Sequence, residues 1–221
     1  MLGRRLLSTV AAGTAYENLV VSVFNRLGAD LERVGGANDR GIDFRGHWAL
    51  PDHRPFYLVG QCKHYENRRI GPSVVREWEG VMSRQEIDTL GLIAATRGFT
   101  TAAVRASLSS AYPIALVTLD SPLLAAQNGL DLDKQDRSDL DKQSRSGPGA
   151  QTEISGFVWN RAADPFIGRL AVAKKHFDVH RVEVADPAQF TIQLFWDGRP
   201  LPTDPPRTLP PQPASCAQKS I

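Results

Sequence analysis

Two continuous apolar runs, Leu90–Ala95 and Ile114–Leu119, do most to limit what this chain can fold into. Each is bounded by turn or cap residues and reads as a buried strand. Between them, Thr100 or Thr101 is placed to cap a helix that reaches about Ser110. Strand, helix and strand in that order form the unit of an α/β sheet.

The residues upstream extend the unit. From Gly13 to Leu27 the period is helical, and Leu19, Val20, Val23, Phe24 and Leu27 make one apolar stripe. Thr14 is expected as its N-cap, with Glu17 as the capping-box partner. Leu31 to Val34 reads as a short strand, and Gly35-Gly36-Ala37-Asn38-Asp39-Arg40-Gly41 as a turn-rich loop. Ile42 to Trp48 alternates as a strand does, and Tyr57 to Lys63 is another. Pro51 to Pro55 reads as a turn between them, so an antiparallel hairpin is expected. Pro72 suits the first turn of a helix running to about Arg84. Pro122 to Ala126 begins a short helix, and the unit, an α/β fold with a mixed sheet, is expected to end near Asn128.

At 221 residues the chain can hold one domain with a real core plus tails. Basic and acidic residues number 26 and 24, a net charge of +2, so any nucleic-acid-binding surface must be local. The two cysteines, Cys62 and Cys216, suggest no disulfide framework. No apolar run is long enough for a membrane-spanning segment.

Residues 1–12 contain Arg4 and Arg5, and no acid precedes Glu17. This is the composition of a mitochondrial presequence, the alternative being an ordinary basic N-terminus. Asp131–Ser138 and Asp139–Ser146 are copies that differ at one position, a tandem duplication of a polar segment. With Gly147-Pro148-Gly149 they are expected to form a linker over 129–152. Ile154–Asn160, Ile167–Ala173, Val179–Val184 and Phe190–Trp196 read as strands of a β-rich C-terminal extension, 153–199. Its role is open among setting target choice, forming a homodimer interface and completing the core. A disordered Pro-rich tail, 200–221, is expected to follow.

The chemistry concentrates in the hairpin. Alternation turns Ile42 and Phe44 toward the core and Asp43 away. It puts Gln61 and Lys63 on one face of their strand and Cys62 on the other. If the strands pair, a carboxylate, an amide oxygen and an ammonium converge. A hard divalent cation takes oxygen ligands, and a lysine beside it can stabilise charge on a phosphoryl group under attack.

In these residues the sequence resembles the restriction-endonuclease-like superfamily, and within it the Mrr-type branch. The matching words are Gly35-Gly36-Ala37-Asn38-Asp39-Arg40-Gly41-Ile42-Asp43, then Gln61-Cys62-Lys63, then Val75-Arg76-Glu77-Trp78-Glu79-Gly80, then Ala95-Thr96-Arg97-Gly98-Phe99-Thr100. They occur in the family's order, and the likeness spans roughly Gly13 to Ala126. Among such proteins it is most similar to fungal mitochondrial proteins linked to respiratory growth. The resemblance implies an α-β-α sandwich, Mg²⁺ (or Mn²⁺) dependence and DNA as substrate. It implies Asp43 as metal carboxylate, Gln61 as a ligand where many relatives have Glu, Lys63 as catalytic lysine and Glu17 as the acid of the first helix. The function so implied is a metal-dependent DNA endonuclease acting in mitochondrial DNA metabolism. The competing readings are an inactive DNA-binding scaffold that kept the fold, and a nuclease for structured DNA or RNA.

Other residues carry two readings each. Glu17 serves either a metal or only the helix start. Asp39 suits a turn former, with a second acidic role as the alternative. His64, Arg68, Arg69 and Arg76 closely follow the catalytic strand and form the best local phosphate-binding patch, unless they are only a solvated face. Thr96 and Arg97 begin the link to Thr100, where N–H groups at a helix start can hold a phosphate or simply be capped. His176 and His180 have a zinc-compatible spacing, but the segment around His180 reads as a strand.

Overall fold

The computed structural model describes residues 9–36, 39–65, 67–120, 153–175 and 191–201. Residues 1–8 of the expected presequence, the helix at Pro122, the repeat linker, the strand Val179–Val184 with His176 and His180, and the tail beyond residue 201 lie outside the described residues.

The first helix, α1 (Thr9–Arg26), is followed by three strands, β1 (Ala29–Arg33), β2 (Phe44–Trp48) and β3 (Phe56–Lys63). β1 and β2 pair antiparallel, as do β2 and β3, so the expected hairpin forms, with Phe44 opposite Gly60 and Trp48 opposite Phe56. Helix α2 (Pro72–Met82) leads to β4 (Thr89–Ala95), and helix α3 (Thr101–Ser109) leads to β5 (Ile114–Asp120). β3, β4 and β5 run parallel, as strands joined by helical crossovers do. Thr100 caps α3, its side chain accepting from the Ala103 N–H.

Alternation in the parallel strands builds a core on each face of the sheet. Leu58, Leu92, Ala94, Ala115 and Val117 pack with Tyr16, Val20 and Phe24 of α1. Val59, Ile93, Ile114 and Leu116 pack with Val75 and Trp78 of α2 and Ala103 of α3. Helices on both sides of a mixed sheet make the α-β-α sandwich.

Several expectations change. α1 begins at Thr9, so Thr14 lies inside the helix and is not its N-cap. Ala12 is buried one turn before Tyr16, which extends the apolar stripe upstream past Gly13. The sheet does not end near Asn128. Strand β6 (Glu153–Trp159) pairs antiparallel with β5, giving six strands in the order β1-β2-β3-β4-β5-β6. A 3₁₀ turn at Arg161–Ala163 and a short helix, α4 (Asp164–Ile167), come next, so Ile167 is helical and not in a strand. Strands β7 (Leu170–Lys175), β8 (Thr191–Trp196) and β9 (Arg199–Pro200) form a second antiparallel sheet. Phe166, Ile167, Leu170, Leu194, Trp196 and Leu201 join the core on the α1 side, so the packed core includes Leu201, beyond residue 199.

One buried side chain ties the extension to the sandwich. Asn160, 1% exposed, donates to the carbonyls of Ser107, Ser110 and Tyr112. Its Oδ1 accepts from the N–H groups of Ile114 and Ala163.

Candidate active site

Asp43 sits just ahead of β2, where backbone bonds from two neighbours fix it. Its N–H donates to Gly60 O (2.8 Å), and its carbonyl accepts from Val34 (2.8 Å) and Gly35 (3.0 Å). Phe44 forces this arrangement in part, because the tip of its ring occupies the place a Cβ on Gly60 would take. Only glycine lets the hairpin close there. Ile42 does not share a face with Phe44 as alternation implies. It packs on the α2 side and Phe44 on the α1 side, because the strand proper starts only at Phe44.

The Asp43 carboxylate folds over β3, where Oδ2 accepts the Cys62 N–H at 2.6 Å. Gln61 and Lys63 flank Cys62, on the strand face they share with Val59, while Cys62 packs toward α1. Asp43 and the Gln-x-Lys pair are thus brought together as the sequence indicates.

Glu17 arrives from α1. It lies in the third turn, since the helix starts at Thr9, so it serves neither cap nor helix start. Its Oε2 accepts from Arg33 Nε at 2.5 Å. A Cβ placed on Gly35 would lie 3.2 Å from Glu17 Oε2 and 3.4 Å from Asp43 Oδ1. Both carboxylates therefore border one small space that exists because residue 35 has no side chain.

In that space the charged form of Asp43 is disfavoured. The Asp43 pKa is pushed up to about 6, first by burial and then by the negative charges of Glu17 and Asp39. The Cys62 N–H and the Lys63 charge oppose the rise without cancelling it. Burial also holds the Cys62 thiol well above its usual range, with Asp43 and Glu17 adding to the effect. Gln61 Oε1 is buried and has no hydrogen-bond partner among the described residues. A buried acceptor left unpaired costs about 1–3 kcal/mol.

The two carboxylates that border this space are hard oxygen donors, the kind that suit Mg²⁺ or Mn²⁺. No three His, Cys, Asp or Glu side chains cluster for a metal among the described residues. Asp39 is occupied elsewhere. Its carboxylate accepts from the N–H groups of Gly36 (3.2 Å) and Gly41 (2.8 Å) and closes the loop as a turn former.

The expected DNA-facing residues fall in two adjoining loops, except Arg76, which lies on α2. An isolated bridge joins Ile70 to Phe99, and the Thr96 hydroxyl both donates to Tyr65 O (2.9 Å) and accepts from Tyr65 N–H (3.1 Å). This lays residues 64–70 beside residues 96–100 at the carboxyl ends of β3 and β4. Arg68, Arg69, Arg76 and Arg97 are exposed. The Arg68 guanidinium lies 4.1 Å over the Tyr65 ring, and His64 packs against Tyr16. The Thr96 hydroxyl is engaged with Tyr65, so its part is to fix the loop. Sequence reasoning missed Arg33 as the partner of Glu17. The two lie sixteen residues apart on different elements, and no local signal marks the pair.

Comparison with known proteins gives one family and two relatives. The restriction endonuclease model of the Mrr catalytic domain matches residues 10–123. An uncharacterized mitochondrial protein of Schizosaccharomyces pombe is 38% identical over 111 residues, 49% of this chain and 44% of that protein, so the chain spans under half of its length. The restriction endonuclease MspJI, solved in complex with a 27-mer oligonucleotide, is similar over 52% of this chain and 27% of its own, with 22% identity and a TM-score of 0.39. No helix among the described residues is long and apolar enough to cross a membrane. Because the matched span runs from the helix that bears Glu17 through β5, half of the chain and every side chain of the site, this protein belongs to the restriction endonuclease family, with an Mrr catalytic domain.

Proposed function

We propose that the chain is a Mg²⁺- or Mn²⁺-dependent endonuclease that hydrolyses phosphodiester bonds of DNA, acting in mitochondrial DNA metabolism. The observation that carries the reading is the shared space bordered by Glu17 Oε2 and Asp43 Oδ1 at Gly35, and the buried Gln61 Oε1, which has no hydrogen-bond partner among the described residues, adds to it. Asp43, Glu17 and Gln61 are the residues that would hold the cation. A cation bound there supplies Lewis-acid polarisation of a phosphoryl oxygen and neutralises the carboxylates. Lys63 orients the attacking water and offsets charge that builds on the phosphoryl group. The Cys62 N–H keeps the Asp43 carboxylate aimed, and His64, Arg68, Arg69, Arg76 and Arg97 receive the backbone of the nucleic acid. Membership of a restriction endonuclease family supports the chemistry, and the mitochondrial name of the yeast relative supports the compartment.

The test is nicking of supercoiled plasmid with Mg²⁺, with Mn²⁺ and with chelator, for wild type, Asp43→Ala and Lys63→Ala. Nicking that needs metal and disappears in both variants is the expected result. Wild type that binds DNA but leaves every plasmid and branched substrate intact sinks the nuclease reading in favour of a DNA-binding scaffold.

A further inference from the structure

We infer that Arg33 holds a backbone phosphate of the nucleic acid at this site, with its guanidinium anchored on Glu17. The inference rests on the endonuclease reading and adds a residue to it. Arg33 is the last residue of β1, directly opposite Phe44, and so lies one position from Asp43 across the pair. The next two residues, Val34 and Gly35, give their N–H groups to Asp43 O. The backbone of Arg33 is therefore tied to the same structure that fixes the catalytic carboxylate.

The guanidinium is a flat fork with five N–H donors and no acceptor. Its Nε–H is engaged by Glu17 Oε2 at 2.5 Å, and its Nη groups have no partner among the described residues. The Arg33 side chain is 34% exposed against 17% for Glu17, so the fork lies at the mouth of the site and the carboxylate deeper. An Arg held at one end with free donors facing solvent is suited to a phosphate, which takes two parallel N–H bonds.

Position strengthens the case. The basic loops 64–70 and 96–100 leave the sheet at β3 and β4, whereas Arg33 stands on β1, two strands away with Asp43 between. Cations on both sides of the carboxylates hold a phosphodiester backbone across the site, which one-sided loops cannot do. The charge-rich words of the sequence do not include Arg33, and its pairing with Glu17 masks it as a plain surface ion pair.

The experiment uses the full chain as wild type, Arg33→Gln and Arg33→Lys. Affinity for a short fluorescein-labelled duplex is read by anisotropy in chelator across a salt series. Mn²⁺ affinity is read separately by electron paramagnetic resonance without DNA. Arg33→Gln is expected to weaken duplex binding about tenfold and to reduce the salt slope by about one, the signature of one lost phosphate contact. Its Mn²⁺ affinity stays at or above that of wild type, because a positive neighbour of the carboxylates is gone. Arg33→Lys keeps the salt slope but recovers only part of the affinity, and it replaces Arg33→Gln as the comparison if the latter melts early.

Unchanged duplex affinity and slope overturn the inference. So does a parallel loss of Mn²⁺ affinity, which makes Arg33 only the orienter of Glu17. Wild type that binds neither Mn²⁺ nor duplex removes the endonuclease reading and this inference together. Wild type that binds both, with both variants indistinguishable from it, removes this inference alone.

Discussion

Replacing Asp43 with Asn should make the metal-free protein more stable, and only above a certain pH. Asn keeps an oxygen for the 2.6 Å bond from the Cys62 N–H, so the change removes charge with little change of shape. The Asp43 pKa is about 6 in the folded protein, against 3.8 for an unperturbed carboxyl. A raised carboxyl pKa means that the folded state holds its proton more tightly than the unfolded one. Stability is then highest below pH 3.8, declines through the interval to 6, and stays lowered above it. Each pKa unit is about 1.4 kcal/mol, so the ceiling on the cost at neutral pH is about 3 kcal/mol. The group is partly open to solvent, and screening reduces that to about 1–2 kcal/mol. Asp43→Asn should therefore raise Tm in chelator by about 3–6 °C above pH 6, and by nothing below pH 3.8. Thermal melts over a pH series read this directly, and added Mg²⁺ should raise Tm for wild type but not for the variant. A variant no more stable than wild type at alkaline pH, or one equally stabilised at every pH, refutes the reasoning.

Three further outcomes are expected. Gly35→Ala puts a methyl group 3.2 Å from Glu17 Oε2 and 3.4 Å from Asp43 Oδ1, so Mn²⁺ binding and plasmid nicking should be lost while Tm moves by only about 2–4 °C, the scale of about 1 kcal/mol. Asn160→Ala removes side-chain bonds from three carbonyls and two N–H groups, of which the Ser107 carbonyl and the Ala163 N–H keep a backbone partner, and should cost about 3 kcal/mol in urea unfolding, with activity per folded molecule unchanged. Cys62, its thiol held up by burial and two carboxylates, should resist iodoacetamide at mildly alkaline pH in the native protein and react once urea unfolds it, as intact-mass measurement will show.

The hairpin and its three polar residues were legible because they rest on short-range rules. Period-two alternation faces Gln61 and Lys63 alike, and the Pro51–Pro55 turn brings their strand against the one that follows Asp43. The same rule misplaced Ile42, since alternation holds only within a strand and the ladder starts at Phe44. Thr14 offered a capping pattern, but burial of Ala12 outweighed the local preference and carried α1 past it. Asn160–Tyr112 and Glu17–Arg33 are contacts between distant parts of the chain, which periodicity cannot register. Periodicity likewise identifies β6 as a strand without identifying its neighbour, and that choice sets where the domain ends.

The placement of β6 also bears on how the gene can change. Asp120 of β5 pairs with Glu153 of β6, so the sheet itself brings together the two ends of the segment between them. Loop-closure entropy grows only with the logarithm of length, at about 0.6 kcal/mol for each doubling. The duplicated stretch Asp131–Ser146 lies inside that segment of the sequence, so copies gained or lost by slippage should carry little thermodynamic penalty and leave Asp43, Gln61 and Lys63 in place. The same closure makes this segment tolerant of a cut, because the ladder between β5 and β6 holds the two strands as neighbours.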